Sequence, residues 1–361
     1  MKTHFLLSCF WISLLAASPF VGAGDTNDPG DGSTGDSTGE SHCHDMAHAP
    51  IGVMYDHLHP AGDLMLGYRF SWSHEEGLRQ GSSTISNGSG FGIQSPMGMP
   101  YMAIPLEMDM SMQMIELMYA PTDWLTLMLM PMYMEMNMTM EMRAAPGAGG
   151  MAMPMVHSHG VAGWGDTLLA AMLPVIGSSE AHQVLFNLGL SMPTGSVDGM
   201  HKGKLTHYMM QLGSGTWDLQ PGLTYTGQSG NWNWGAQSLI TWRMEDANAS
   251  GYRLGDALDT TAWLSTDLSE KVSVSGRIAW RHEGAIQGRY NAPHHSGSPP
   301  DFPSNYGGDR LELGTGLSFS PGGAWEGQRF AIEVLTPVYQ DVNGVQLDRE
   351  VTLYAGWQLA F

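Results

Sequence analysis

The sequence predicts an all-β protein: a transmembrane antiparallel β-barrel of about 12 strands, with short periplasmic turns and long extracellular loops. Three observations carry that expectation. From residue 63 onward the chain is a succession of segments, roughly 9 to 16 residues long, that alternate apolar and polar positions, which is the repeated signature of an outer-membrane barrel. Short and long connections between those segments also alternate. Finally, methionine recurs with a period of two along two adjacent segments; a strand gathers such residues on one face, whereas a helix would scatter them.

The N-terminus explains how such a chain reaches a membrane. Lys2 precedes an apolar run from Phe5 to Phe20, and Val21-Gly22-Ala23 follows. Residues 1–23 therefore read as a secretory signal peptide cleaved after Ala23. The run is short for a bilayer span, and no other stretch approaches that length, so a membrane-resident mature chain has to close into a barrel. Residues 24–47, rich in Gly, Ser, Thr and Asp, have almost nothing to bury and are expected to be a disordered, acidic, His-bearing periplasmic tail. The barrel then occupies residues 48–361. Of the two cysteines only Cys43 survives cleavage, so no internal disulfide can form. Fifteen basic residues stand against 35 acidic ones, a net charge of −20. That balance excludes nucleic acid as a partner, because phosphates require Lys and Arg, and it is compatible with attracting cations.

In order, the strands fall at 63–74, 106–119, 124–142, 162–175, 182–193, 215–227, 231–243, 254–266, 271–283, 309–319, 328–339 and 348–361. Short links lie at 120–123, 176–181, 228–230, 267–270 and 320–327; long ones lie at 75–105, 143–161, 194–214 and 284–308. An even strand number, both termini at one end and short turns at that end agree with a bacterial barrel in the outer membrane of a Gram-negative organism. In the last strand Val351, Leu353, Ala355, Trp357, Leu359 and Phe361 would face lipid, with Glu350, Thr352, Tyr354 and Gln358 in the lumen. Trp232, Trp234 and Trp242 begin and end one apolar face, while Trp72, Tyr133 and Trp280 fit an outer aromatic girdle. The terminal Phe361 resembles the assembly signal of outer-membrane barrels. Expected partners are thus outer-membrane lipid and, through Phe361, the barrel-assembly machinery, with periplasmic metal-handling proteins as further partners if the chain handles metal.

The methionines are Met108, Met110, Met112, Met114 and Met118 on the second strand. On the third they are Met128, Met130, Met132, Met134, Met136, Met138, Met140 and Met142. The opposite face of the third strand reads Leu125, Leu127, Leu129, Pro131, Tyr133, then Glu135, Asn137, Thr139 and Glu141. Its apolar part is one membrane crossing and its polar part rises above the outer surface. Parity therefore sends every thioether into the lumen. Pro131 removes a ladder donor, but unbroken methionine parity across it predicts a lost hydrogen bond rather than an inversion of faces.

Thioethers are soft ligands that select Cu(I), and many weak sites suit conduction. Methionine is also a flexible, polarizable apolar filler. His42, Cys43, His44, Met46 and His48, then His57 and His59, form a candidate metal-loading arm, and Met151, Met153, Met155, His157 and His159 repeat the pattern in an outer loop. Weaker outer-loop candidates are Met97, Met99, Met102, Met200, His201, His207, Met209, Met210, His294 and His295. Three readings stay open, two of them transport functions. One is a channel that binds or conducts Cu(I) or Ag(I) as substrate, needing no cofactor, in metal tolerance. The other is a channel for small hydrophobic or aromatic compounds, lined by methionine; a structural barrel that scavenges oxidants through its thioethers is a third. Mixed charges at Arg69, Asp218, Arg243, Asp259, Arg277, Arg281, Arg310, Glu312 and Glu333 are expected to pair inside the barrel. No nucleophile elbow, phosphate-binding loop or zinc-protease helix motif occurs, so no enzyme is expected.

Several motifs carry a family resemblance: His48-Ala49-Pro50-Ile51-Gly52-Val53-Met54-Tyr55-Asp56-His57 with Gly67-Tyr68-Arg69, Met118-Tyr119-Ala120-Pro121-Thr122-Asp123 and Gly163-Trp164-Gly165-Asp166. Pro193-Thr194-Gly195-Ser196, Gln211-Leu212-Gly213-Ser214-Gly215-Thr216 and Pro337-Val338-Tyr339-Gln340-Asp341 continue it. With them the chain resembles a family of outer-membrane transporters related to the MetA-pathway of phenol degradation barrels, in a methionine-rich, metal-associated subgroup. The resemblance implies the barrel fold over nearly the whole mature chain and transfers no catalytic residue.

Overall fold

A bilayer offers no hydrogen-bond partner to an exposed strand edge, so the ladder must close on itself, and it does. The computed structural model describes residues 49–143, 154–175 and 181–361. The strands that matter are β1 (Leu64–Gly81), β2 (Ala103–Thr122), β3 (Leu125–Met130), β4 (Met132–Met142), β5 (Met155–Trp164), β6 (Thr167–Pro174) and β7 (His182–Met192). They continue with β8 (Asp218–Ser229), β9 (Trp232–Arg243), β10 (Ala257–Ser269), β11 (Val272–Glu283), β12 (Gly308–Phe319) and β13 (Gln328–Ala360). Neighbours are antiparallel and follow chain order, and β1 closes the ring by pairing with β2 on one edge and β13 on the other.

β13 is 33 residues long. Extended at about 3.3 Å per residue it would far exceed the thickness of a bilayer, so it has to fold back, and Gly344 supplies the positive φ of 63°. Its first leg pairs with β12 from Val342 to Phe330, and its second pairs with β1 from Val345 to Ala360. Counting β3 with β4, β5 with β6 and the legs of β13 separately recovers the twelve predicted crossings.

Pro131 behaves as parity requires. It divides β3 from β4, yet Met128, Met130, Met136, Met138 and Met140 are all buried on one face while Leu127 and Leu129 are exposed on the other. The neighbouring strand is interrupted at the same level, between β5 and β6, where the Gly165 amide donates to the Met132 carbonyl over 2.9 Å. β3 pairs with β6, and β4 pairs with β5. The proline thus sits where the ladder already changes partner.

One face assignment is corrected. Glu350 is exposed rather than in the lumen, because the β1–β13 register shifts between His74 and Glu75. Thr352 and Gln358 below that bulge point inward as predicted, but above it Val345 and Leu347 are the buried residues. A bulge inverts parity, and nothing in the alternation marks it.

The outward face is an apolar band that includes Ile115, Leu117, Leu129, Leu188, Leu264, Leu313 and Ile332, with Trp164, Trp232 and Trp242 exposed among it. An arginine on that face near the bilayer midplane costs about 2–4 kcal/mol and near an interface about 0–1 kcal/mol. Leu129→Arg should therefore destabilise the barrel by several kcal/mol, and Thr139→Arg, on the same face but higher, by little. Denaturant unfolding of both variants in lipid checks this; equal effects would refute the level assigned to the stripe.

Candidate functional site

The lumen is built from three parts: a methionine wall, a charged wall and a segment that crosses between them. The methionine wall follows from strand parity. Met114, Met118, Met128 and Met130 pack with Met65, Leu168, Ala170, Met172 and Leu185, and Met112 and Met132 lie half-buried beside them. Farther out, Met108, Met136, Met138 and Met140 pack with Ala103, Met210 and Leu347, joined by Met110 and Met134. One predicted member falls elsewhere. Met142 is 38% exposed and pairs with the outer-loop candidate Met155, 61% exposed, at the outer tip of the β4–β5 hairpin, beyond the lumen. His42, Cys43, His44, Met46, His48, Met151 and Met153 lie outside the described residues.

The opposite wall carries the predicted charges, and they pair. Arg281 lies 2.6 Å from Asp259, Arg277 3.2 Å from Glu333 and Arg310 3.3 Å from Glu312, while Arg69 lies 3.3 Å from Glu116, which stands within the methionine wall between Met114 and Met118 on β2. Arg243 is bonded to Asp218. Farther out, Arg349 meets Glu75 at 2.6 Å and Arg79 meets Asp348 at 2.8 Å. Each of these guanidiniums answers a carboxylate, so the charged part of the lumen is polar without a large net field.

Residues 49–59 run across the lumen between the walls. They form a plug, and His57 and His59 of the candidate metal-loading arm lie in it. Ala49, Ile51, Val53 and Tyr55 are each 3% exposed or less, and Tyr55 and Leu58 join the inner methionine cluster. An unpaired segment must still satisfy its backbone, and the barrel wall does so from several sides. Arg329 donates to the Ala49 carbonyl (2.7 Å), Arg69 to the Val53 carbonyl (3.0 Å) and Gln237 to the Met54 carbonyl (2.5 Å). The Gly52 amide donates to Glu333 (2.7 Å) and the His59 amide to the Thr126 hydroxyl (3.0 Å). The wall has room because it is glycine at the contacts: a Cβ on Gly356 would lie 2.7 Å from Ile51 Cδ1. Alternation at 49, 51, 53 and 55 is the signal in the sequence of this buried extended segment.

Below the plug a polar cavity of about 1250 Å³ opens among the short turns. His57 and His59 roof it, and Asn233, Ser265, Arg329 and Gln358 line it. The two predicted histidines do come together, Nε2 to Nε2 at 3.2 Å, with His57 Nδ1 2.8 Å from Asp56.

Above the plug, long loops fold inward. Asp166 accepts from the Gly195 amide (2.9 Å) and from the Ser214 amide (2.7 Å) and hydroxyl (2.9 Å), so the 193–217 loop is tied to the strand break. Gly195 and Gly213 touch there, and a Cβ on Gly195 would lie 2.8 Å from the Gly213 Cα. Three separate sequence motifs thus meet at one clamp. Tyr208 stacks on Tyr290 (centroids 4.1 Å apart) and meets Tyr252 edge-on, forming a tyrosine cap with Leu205 and Ile286.

A family model described as "Putative MetA-pathway of phenol degradation" matches residues 116–299. No curated protein matches the chain. Among solved structures, the crystal structure of an outer membrane channel from Pseudomonas putida F1 is similar over 85% of this chain and 98% of that one, with a TM-score of 0.55 at 14% identity. A Pseudomonas aeruginosa FadL homologue (TM-score 0.41, 8% identity, covering 82% and 90%) and the P. putida toluene transporter TodX (0.40, 8%, 84% and 90%) are too distant to carry an argument.

Glu333 anchors both Gly52 and Arg277. Removing one partner of a buried pair costs about 3–5 kcal/mol. Glu333→Ala should therefore destabilise the barrel by that order and expose residues 49–59 to protease. Limited proteolysis that cuts variant and parent alike would count against the plug.

Proposed function

The chain belongs to the family of outer-membrane barrels described by the MetA-pathway of phenol degradation, and on that premise we propose that it is a gated channel for small hydrophobic or aromatic solutes. The observation that carries the reading is the thioether wall, two packed clusters that extend from the outer loops to the plug. Thioethers present an adaptable, polarizable apolar surface and make favourable contacts with aromatic rings. Apolar surface leaves water favourably at about 25 cal/mol per Å², so such a wall draws an aromatic solute while the paired opposite wall holds no unmatched charge for it to desolvate. From the sequence alone, conduction of Cu(I) or Ag(I) stands first. The family and the packing of the thioethers against one another and against Tyr55 and Leu58 favour the apolar-solute alternative.

The plug is the gate in this reading, and its many bonds to the wall are what must yield. Purified protein in liposomes should accelerate entry of phenol or toluene over a sugar of similar size. Changing Met128, Met130, Met136, Met138 and Met140 to Leu should keep that flux within about twofold, since volume-conserving swaps are tolerated, while Met136→Asp with Met138→Asp should reduce it more than tenfold. No solute flux, or flux lost in the leucine variant, would refute the proposal.

Gating has its own test. Disulfides need Cβ atoms about 3.5–4.5 Å apart, and Ile51 and Gly356 are in contact. Ile51→Cys with Gly356→Cys, in a Cys43→Ser background, should lock the plug, suppress flux when oxidised and restore it on reduction. Flux indifferent to the crosslink would show that the plug is not the gate.

A further inference from the structure

The outer end of the methionine wall gathers a second kind of donor. The β4–β5 register sets Met138 opposite His159 and Met140 opposite His157, so imidazoles and thioethers share one inward face, as directly opposed residues must. Two loops add to them: His201 and His207 come from the 193–217 loop, and His295 from the 284–307 loop. Ring centroids lie 5.7 Å apart for His157 and His159, 5.0 Å for His159 and His201, and 5.4 Å for His159 and His207. Metal–imidazole bonds are about 2.0–2.1 Å, so two rings on one tetrahedral ion have centres roughly 5 Å apart. His159 stands at that separation from two neighbours at once.

The hydrogen bonding points the same way. His157 Nδ1, His159 Nδ1 and His201 Nε2 are buried without a hydrogen-bond partner, where buried polar atoms ordinarily have one. His207 is different. Its Nδ1 lies 2.7 Å from Asp301 Oδ1, and Asp301 is itself held by Gly297, Ser298 and the Ser298 hydroxyl at 2.8–2.9 Å. A proton on Nδ1 leaves the Nε2 lone pair for a ligand, and a carboxylate behind an imidazole is the arrangement that orients metal-binding histidines.

We propose that His157, His159, His201 and His207 bind a soft monovalent metal ion, Cu(I) or Ag(I), with Met138 and Met140 as thioether donors and Asp301 as the positioning residue behind His207. Mixed imidazole and thioether donors select such ions over hard cations. His157 and His159 stack with 16° between their planes, so converging on one ion takes rotation of the rings. The bound ion would join β5 to the inward loop at the outer mouth. The competing cluster is weaker: His74, Glu76 and Glu350 bring ligand atoms within 4.8 Å of one another, but both glutamates are exposed and His74 already pairs with Asp109 at 3.0 Å. The site stands whether or not the lumen passes aromatic solutes.

The test uses the full chain in detergent, with His42, His44 and His48 changed to Ala and Cys43 to Ser so that the N-terminal donors do not contribute. Ag(I), and Cu(I) under reductant against a chromophoric chelator, should bind at one ion per chain. His159→Ala with His207→Ala should weaken binding at least 100-fold, and Asp301→Asn 10- to 100-fold. Met138→Leu with Met140→Leu should weaken Ag(I) but leave Zn(II) unchanged. A second measurement needs no variant in the cluster: Ag(I) should protect His157, His159, His201 and His207 from acylation while leaving His74 and His282 reactive, read by mass spectrometry. Binding that survives the double alanine variant, Zn(II) bound more tightly than Ag(I), or no selective protection would each overturn the proposal.

Discussion

Closure of the backbone ladder at β1 is the constraint on which everything else rests. Hydrocarbon satisfies no amide, so the first strand must find partners on both edges, and it finds them in β2 and in the second leg of β13. Once the ring is closed, the two faces of every strand become inside and outside. The same alternation that sends Leu117 and Leu129 toward lipid sends Met118 and Met128 into the lumen.

Closure also creates a problem that the interior has to solve. A twelve-crossing barrel encloses more space than its own inward side chains fill, and each wall fills its half with different chemistry. Thioethers, long and flexible, meet one another across β2, β3 and β4. Arginines and carboxylates meet across the strands opposite, where a buried pair adds little net stability but is costly to break. The plug lies between and uses both: Tyr55 and Leu58 join the thioethers, while Arg329, Arg69 and Glu333 take its backbone groups. Its bonds are polar and distributed, which is the kind of contact that can be exchanged for water one at a time.

Much of this was legible in the residues. Strand positions, the short and long links, the inward direction of Met108 to Met140 and the continuity of parity through Pro131 all follow from a two-residue period. Glu350 was misread because a bulge at His74 and Glu75 reverses parity with no change in composition. Met142 shares the right period but lies past the rim, and period alone carries no height. The plug was half legible: its alternation at Ala49, Ile51, Val53 and Tyr55 is plain, yet alternation does not say whether an extended segment joins the wall or crosses the space inside it. The histidine cluster was least legible, since five single residues from three places in the chain each look incidental.

By itself, then, the sequence determined which face each strand side chain takes and in what order the strands follow, because alternation is a property of neighbouring residues. Only the tertiary structure decided what those faces meet. Gly52 reaches Glu333 across 281 positions and His207 reaches Asp301 across 94. Such contacts depend on where closure and the inward folding of loops bring distant segments, and no local period encodes that.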